Sequence, residues 1–364
     1  MISFFQKKLM LYGSMLPPVV VRNHFQMALK CRRKWLVKVK NLSNISMLRE
    51  ITAAALLMVS PLWVAASSAE TNDDVLRACL PRNAGVLAGR RLTGGSGFDF
   101  RVAQEIATSM GKTLEPVWYE NELDEESNPL SETYAMLGFG LCDIVPGHPR
   151  LVSAVGVPDY ERAVLPRWLG MPREMSLETG MLSQRLVGYV DVSPIDVSDG
   201  YMRTQVGMVY REGTPEPTGP SDLAGRRLAL QENTLSGTIA MLRTKPGERG
   251  NLVTMSPGTE FLWNVEKEGL DLAMVDVLAF DSYLKANPFT QLRLADWRHS
   301  IGLDIGIAVL SENPDLPQLN EAISELLALG RFVELAQEVG LTYLAPQDTE
   351  LSKGITMQML MVAE

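Results

Sequence analysis

Short apolar runs alternate with helix-patterned runs along this chain, and that alternation restricts the folds open to it. Five segments carry it: LRACL at 76–80, GFDFRVAQEIATSMGK at 97–112, GLCDIVPGHP at 140–149, LAGRRLALQENTLSG at 223–237 and GLDLAMVDVLAFDSYLKANP at 269–288. Val75 to Leu80 has the length and flanks of a buried strand. A Gly- and Arg-rich loop follows over 81–96. Phe98, Val102 and Ile106 then fall on one face of a helix running to Met110, with Asp99 placed as its N-cap carboxylate and Gly111 as its stop. Thr113–Trp118 predicts a second strand, Ser131–Phe139 a second helix and Cys142–Val145 a third strand. This rhythm predicts a mostly parallel sheet covered by helices.

The rhythm lapses over 147–195. Pro149, Pro158, Pro166, Pro172 and Pro194 recur there, and the stretch reads as a loop-rich excursion with a short helix near 174–186. A strand at Thr204–Tyr210 and a Pro/Gly linker at 211–221 follow. A second α/β unit begins at Ser221-Asp222-Leu223. Its strands are expected at 227–230, 252–255 and 273–275, and its helices at 233–243, 259–267 and 277–286. Asp304–Leu310 reads as a strand returning to the first unit. Gln318–Glu338 reads as one amphipathic helix, with Leu319, Ile323, Leu326, Leu327 and Leu329 and then Phe332, Leu335 and Ala336 on its apolar face. The tail 346–364 shows no pattern.

Ile51–Ala66 is an apolar run of sixteen residues, preceded by Arg49 and followed by Ser67-Ser68-Ala69. It contains Pro61 and falls short of the roughly 20 residues a membrane-spanning helix needs. It reads as the core of a secretory signal peptide cleaved after Ala69. The basic stretch 1–46 is far longer than an ordinary signal-peptide start, which points to Met47 as the true initiator. Residues 1–69 hold ten Lys/Arg and one Glu. The remaining 295 residues carry 24 Lys/Arg against 42 Asp/Glu, a formal charge of −18. That balance excludes a basic nucleic-acid face and suits an exported protein without stable membrane insertion. Export leaves two cysteines, Cys79 and Cys142. In an oxidising compartment they are expected to pair; two buried free thiols are the alternative. Neither sits in a CxxC, so neither a Cys/His metal site nor a cofactor is expected.

Four places carry possible binding chemistry. At Gln231–Gly237 a strand ends in a polar turn that opens a helix. Free amides and the helix dipole there attract carboxylates, and Asn233, Thr234 and Ser236 add polar side chains. A simple cap is the alternative. Asp276 directly follows an apolar strand, at the sheet edge where open α/β folds bind ligands. It would pair with an ammonium group or cap the next helix. His148 and Arg150 lie just past the third strand, where Arg suits a carboxylate. The fourth, Ser198-Asp199-Gly200-Tyr201, resembles the element before the lobe crossover of the family-3 solute-binding proteins, which implies that Tyr201 walls a cleft; packing between lobes is the alternative.

In this order the segments resemble the family-3 solute-binding proteins, the type II periplasmic binding proteins, over about 75–345. The resemblance implies an α/β fold of two lobes, mostly parallel sheets flanked by helices, and a two-strand hinge. Lobe 1 is expected at 74–203 plus 306–345, with the excursion 147–195 as an insertion, and lobe 2 at 204–305. In that family the turn matching 231–237 holds the ligand's carboxylate, and the Asp matching Asp276 binds its amine. Leu235 replaces the second threonine of that turn, Arg150 stands off the family's TxxR spacing, and the first loop, PRNAGVLAG, lacks the family's stacking aromatic. The implied function is capture of a small polar solute, amino-acid-like or carboxylate, for an ABC permease. Arg77-Ala78-Cys79 and Leu141-Cys142-Asp143-Ile144-Val145 also resemble the binding proteins associated with periplasmic quinoprotein dehydrogenases. That implies the alternative of an accessory to a PQQ-dependent methanol or alcohol dehydrogenase. The same fold hosts a dehydratase, for which only His148 or Glu232 would offer acid–base chemistry. No enzyme is expected.

Overall fold

The computed structural model describes residues 74–92, 94–120, 129–169, 189–232, 234–256 and 260–362. The expected leader, start site and helix at 174–186 lie outside them. The first α/β unit contains β1 (Val75–Pro81), a hairpin of β2 (Gly89–Arg91) and β3 (Gly94–Ser96), α1 (Phe98–Ser109), β4 (Thr113–Glu120), α2 (Pro129–Gly138) and β5 (Val145–Pro149). β1 pairs in parallel with β4, Val75 opposite Thr113. Its other edge meets the chain just before β5, where Cys79 N donates to Ile144 O at 3.0 Å and Ile144 N donates to Arg77 O at 3.1 Å. Cys142 therefore precedes β5 rather than lying in it. Cys79 and Cys142 form a disulfide with a Cα–Cα distance of 5.6 Å, within a small core that also holds Tyr134, Met136, Leu137 and Ile195.

Two further sequence expectations change in this unit. The run 81–96 contains the β2–β3 hairpin. The helix α1 is capped by backbone at Gly97 rather than by Asp99. Phe98 N and Asp99 N donate to the carbonyls of Val86 and Leu87 at 2.9 and 2.8 Å. Gly97 sits at φ 100°, and a Cβ there would lie 2.5 Å from the Leu87 carbonyl oxygen, so only glycine fits this turn. α1 then buries Phe98, Val102 and Ile106 on one face, each contributing roughly 1.5–3 kcal/mol.

The excursion is more regular than its prolines suggest. Its described parts form β6 (Arg162–Val164), β7 (Arg167–Leu169), β8 (Tyr189–Asp191) and β9 (Ile195–Val197). β6 pairs with β8, and β7 adds antiparallel to β4. Strands of three residues are too short to show alternation, so their pairing partners specify them.

The second unit comprises β10 (Met202–Arg211), β11 (Leu228–Gln231), α3 (Leu235–Arg243), β12 (Leu252–Met255), α4 (Phe261–Lys267), β13 (Leu272–Asp276), α5 (Val277–Ala286) and β14 (Leu292–Leu310). The sheet order is β12-β11-β13-β10-β14-β5. The contacts of β11 with β12 and β13 are parallel, and those of β10 with β13 and β14 are antiparallel. Where the sequence puts the start of this unit, at Ser221-Asp222-Leu223, the chain makes a short 3-10 turn over Pro220–Leu223.

β14 is longer than its sequence shows. Its 19 residues extend about 60 Å at the usual strand rise. Residues 292–303 are too polar to announce a strand, and their pairing with β10 creates it. Ile305–Ala308 continue into the first unit against β5, and Ala308–Leu310 against β9. β10 and β14 thus run side by side between two lobes, the first with strand order β7-β4-β1-β5-β14-β9.

Two helices follow, α6 (Leu316–Ala328) and α7 (Arg331–Val339), where the sequence suggests one. Gly330 at φ 68° ends the first, and Leu329 is turned to solvent. They close the first core through Leu319, Ile323, Phe332 and Leu335. The patternless tail is also ordered by long-range partners. Tyr343 Oη donates to Tyr201 O at 2.9 Å, the amides of Gln347 and Asp348 donate to Asp304 Oδ2 at 2.9 and 2.6 Å, and Ser352 bridges to Leu151. Beyond it, Ile355 and Leu360 pack into the second lobe's core, the latter on α8 (Met357–Val362). No helix among the described residues is long and apolar enough to cross a membrane.

Candidate functional site

Parallel pairing of β11 and β13 brings the turn after Gln231 and Asp276 to the same carboxyl edge of the second lobe's sheet. Thr234 is the N-cap of α3: its Oγ1 accepts from Gly237 N at 3.0 Å and donates to Gln231 O at 2.8 Å. Ser236 Oγ lies 3.1 Å from Thr234 Oγ1 and is buried. Gly237 tucks under the turn, where a Cβ would lie 2.0 Å from the Gln231 carbonyl oxygen. No hydrogen bond is made by the amides of Leu235 and Ser236 among the described residues. Asn233 lies outside the described residues.

Asp276 takes the capping role its position allows. Its Oδ1 accepts from Leu278 N at 2.9 Å, capping α5, and its Oδ2 accepts from Thr204 Oγ1 on β10. Burial raises its pKa, against the opposing effect of those hydrogen bonds. The start of β10 therefore joins this edge through Thr204, a residue whose place the sequence does not reveal. α5 also touches the first lobe. Val86 N donates to Ser282 Oγ at 3.2 Å, and Asp281 accepts from Thr342 N at 2.6 Å and Thr342 Oγ1 at 3.0 Å.

The first lobe's expected residues do not gather at this edge. Tyr201 is fully buried in an aromatic cluster with Phe98, Phe332 and Tyr343, the Phe98 and Tyr201 rings 6.0 Å apart. Its hydroxyl donates to Asp99 Oδ1 at 2.7 Å and accepts from Gly147 N at 3.0 Å. Asp99 is 3% exposed, and burial pushes its pKa up to about 7 against the Tyr201 hydrogen bond. His148 is buried, and because a carbonyl only accepts, its Nε2 donates to Ala154 O at 2.8 Å. Burial lowers its pKa.

Arg150 is 5% exposed. Its guanidinium donates to the carbonyls of Ser198, Asp348 and Thr349 at 3.0, 2.6 and 3.2 Å, and Asp199 lies 3.5 Å away. It anchors the tail. Beside it Arg203 Nη1 pairs with Asp304 at 2.6 Å and Asp348 at 3.1 Å. Sequence proximity suggests His148 and Arg150 for one site, but Arg150 is taken by partners remote in sequence and His148 by Ala154, six residues on. Among the described residues, no group of three His, Cys, Asp or Glu side chains is arranged to hold a metal.

No family model matches the chain, and no curated protein matches it. Solved structures do. The L-cystine solute receptor of Neisseria gonorrhoeae, in its unliganded open conformation, is 18% identical over 76% of this chain and 96% of its own, with a TM-score of 0.53. The second substrate-binding domain of a putative amino acid ABC transporter from Streptococcus pneumoniae is 15% identical over 74% and 99%, with a TM-score of 0.49. An ancestral cationic amino acid solute-binding protein is 15% identical over 73% and 96%, with a TM-score of 0.48. The fold is the two-lobed one of the periplasmic binding proteins, a mixed sheet architecture with flanking helices.

Proposed function

We propose that this chain is a periplasmic solute-binding protein that takes a small polar solute, amino-acid-like or carboxylate, between its lobes and delivers it to an ABC permease. One observation carries the reading: the amides of Leu235 and Ser236 share a sheet edge with Asp276, next to the strand pair that joins the lobes. The helix start attracts a carboxylate through those N–H groups and the dipole. Asp276 would exchange Thr204 for an ammonium group, and a bound cation would hold its carboxylate ionised despite burial. Rotation about β10 and β14 would close the lobes over the solute. The names of the structural neighbours, receptors for cystine and other amino acids, agree with this class. We assign no catalysis: His148 is bonded to Ala154, and Glu232 is exposed at the end of β11.

A second reading, an accessory to a periplasmic quinoprotein dehydrogenase, is favoured by a different observation. Tyr201, His148 and Arg150 all have internal partners, and the disulfide joins the two cysteines on which that resemblance rests.

A thermal-shift screen of the purified chain against amino acids, small carboxylates, polyamines and alcohols tests both. A ligand that binds only the folded chain must raise its melting temperature. A shift with one chemical class, abolished by Asp276→Ala, supports the receptor. Silence across the panel, with retention of the chain on an immobilised quinoprotein dehydrogenase, supports the accessory reading.

A further inference from the structure

Arg243 closes α3 at the end opposite Thr234, about 13 Å away at the α-helical rise. A cation in the last turn suits the helix dipole, and a fully solvated Arg would need no further account. This side chain is not fully solvated. Its Nε and Nη2 atoms are buried without a hydrogen-bond partner, and so is Nε2 of His299, on a residue that is 0% exposed. His299 Nδ1 accepts from Ile301 N at 3.1 Å, so the proton resides on Nε2 and that atom is a donor. The His299 ring stands edge-on to Trp297, centroids 5.9 Å apart, and Arg243 is close enough to lower the His299 pKa, after burial itself.

Three buried donors, one group of them cationic, thus face no acceptor. Each buried polar group left unsatisfied costs about 1–3 kcal/mol. The two from Arg243 are the pair that share one side of the guanidinium and grip a carboxylate with two parallel bonds. The same chain shows that grip elsewhere: Arg77 holds Asp143 through Nε at 3.2 Å and Nη2 at 2.6 Å. We propose that Arg243 and His299 form a second binding site, for an oxyanion of the carboxylate or phosphate class, with the guanidinium side binding two oxygens and His299 Nε2 donating to one of them. The site lies on the second lobe, at the far end of α3 from the candidate solute edge. Its ligand is a free small anion of that class.

The full chain, titrated with acetate and with phosphate at constant ionic strength, is followed by thermal unfolding and by the nitrogen resonances of His299. A saturable rise in melting temperature with a shift at His299 Nε2 is expected. Arg243→Gln abolishes both. Arg243→Lys keeps the charge but loses the two-pronged geometry and weakens binding about tenfold, as does His299→Gln, which removes one hydrogen bond. Silence of the parent chain, or a response that survives Arg243→Gln, overturns the proposal.

Discussion

The two lobes treat their buried cations differently. In the first lobe Arg150 donates to three carbonyls and faces Asp199, and Arg203 joins Asp304 and Asp348 through Nη1, with its buried Nε unpartnered. In the second lobe Arg243 and His299 turn donors inward with nothing to receive them. A buried arginine whose donors are used is scaffold: it fixes the chain segments whose carbonyls it holds. One with an unused paired edge is an unmet demand for an acceptor. The side chain that sequence position marks for ligand binding, Arg150, belongs to the first kind, and the one that sequence leaves unremarked belongs to the second.

That contrast can be broken at several points. The largest effect is expected from the covalent tie of the first lobe. Cys79 and Cys142 are 63 residues apart, and opening such a loop in the unfolded chain is worth about 4 kcal/mol. The double Cys→Ser variant should show that loss in urea unfolding while amide exchange in α3 keeps its local protection pattern. If α3 loses protection to the same degree as β1, the lobes do not differ in the way described. Next comes Arg150→Met. It strands the carbonyls of Ser198, Asp348 and Thr349, and a loss of about 3 kcal/mol is expected. Hydrogen exchange should locate the change at 346–353; unaltered exchange there would mean that Arg150 does not anchor the tail.

Asp99 sharpens the comparison through pH. Its folded pKa, raised to about 7 by burial, exceeds the ordinary carboxylate value of roughly 4. The folded state therefore holds the proton more tightly than the unfolded chain does. The stability this contributes is fully present below about pH 4 and is lost as pH rises through about 7. The melting temperature of Asp99→Asn, followed from pH 4 to 8, should lack that decline; parallel curves for variant and parent would refute it. The smallest effect is expected from Arg243→Gln without added oxyanion. Gln relieves the two unmet guanidinium donors but brings an amide of its own, so stability should rise by no more than about 1 kcal/mol. A loss as large as that of Arg150→Met would mean that Arg243 already has a partner.

Strongly patterned elements were legible in the sequence. Phe98, Val102 and Ile106 fix α1, and the apolar run 272–275 with Asp276 fixes β13 and the start of α5. What escaped was specified from a distance. The first half of β14 is a strand because β10 lies beside it, and the tail is ordered because Arg150 and Asp304 hold its backbone. The site divides the same way. Thr234 as a cap is a local matter and reads directly. Tyr201 and Asp99 are 102 residues apart, and their mutual bond leaves no trace in either neighbourhood. The His299 donor is equally silent in sequence, since only burial makes an unpaired imidazole N–H informative.

The tail bears on how the lobes can move. Two adjacent strands, β10 and β14, define a line about which one lobe can swing like a door. The tail crosses between the lobes a third time, held at Arg150 and Asp304 on one side and by Leu360 on the other. A third attachment off the line of the first two turns a free swing into a sprung one. Any rotation must either pivot within the few residues between Ser352 and Ile355 or pull against the anchored backbone, so the slack in that short span limits the opening angle alongside the α5 contacts with Val86 and Thr342.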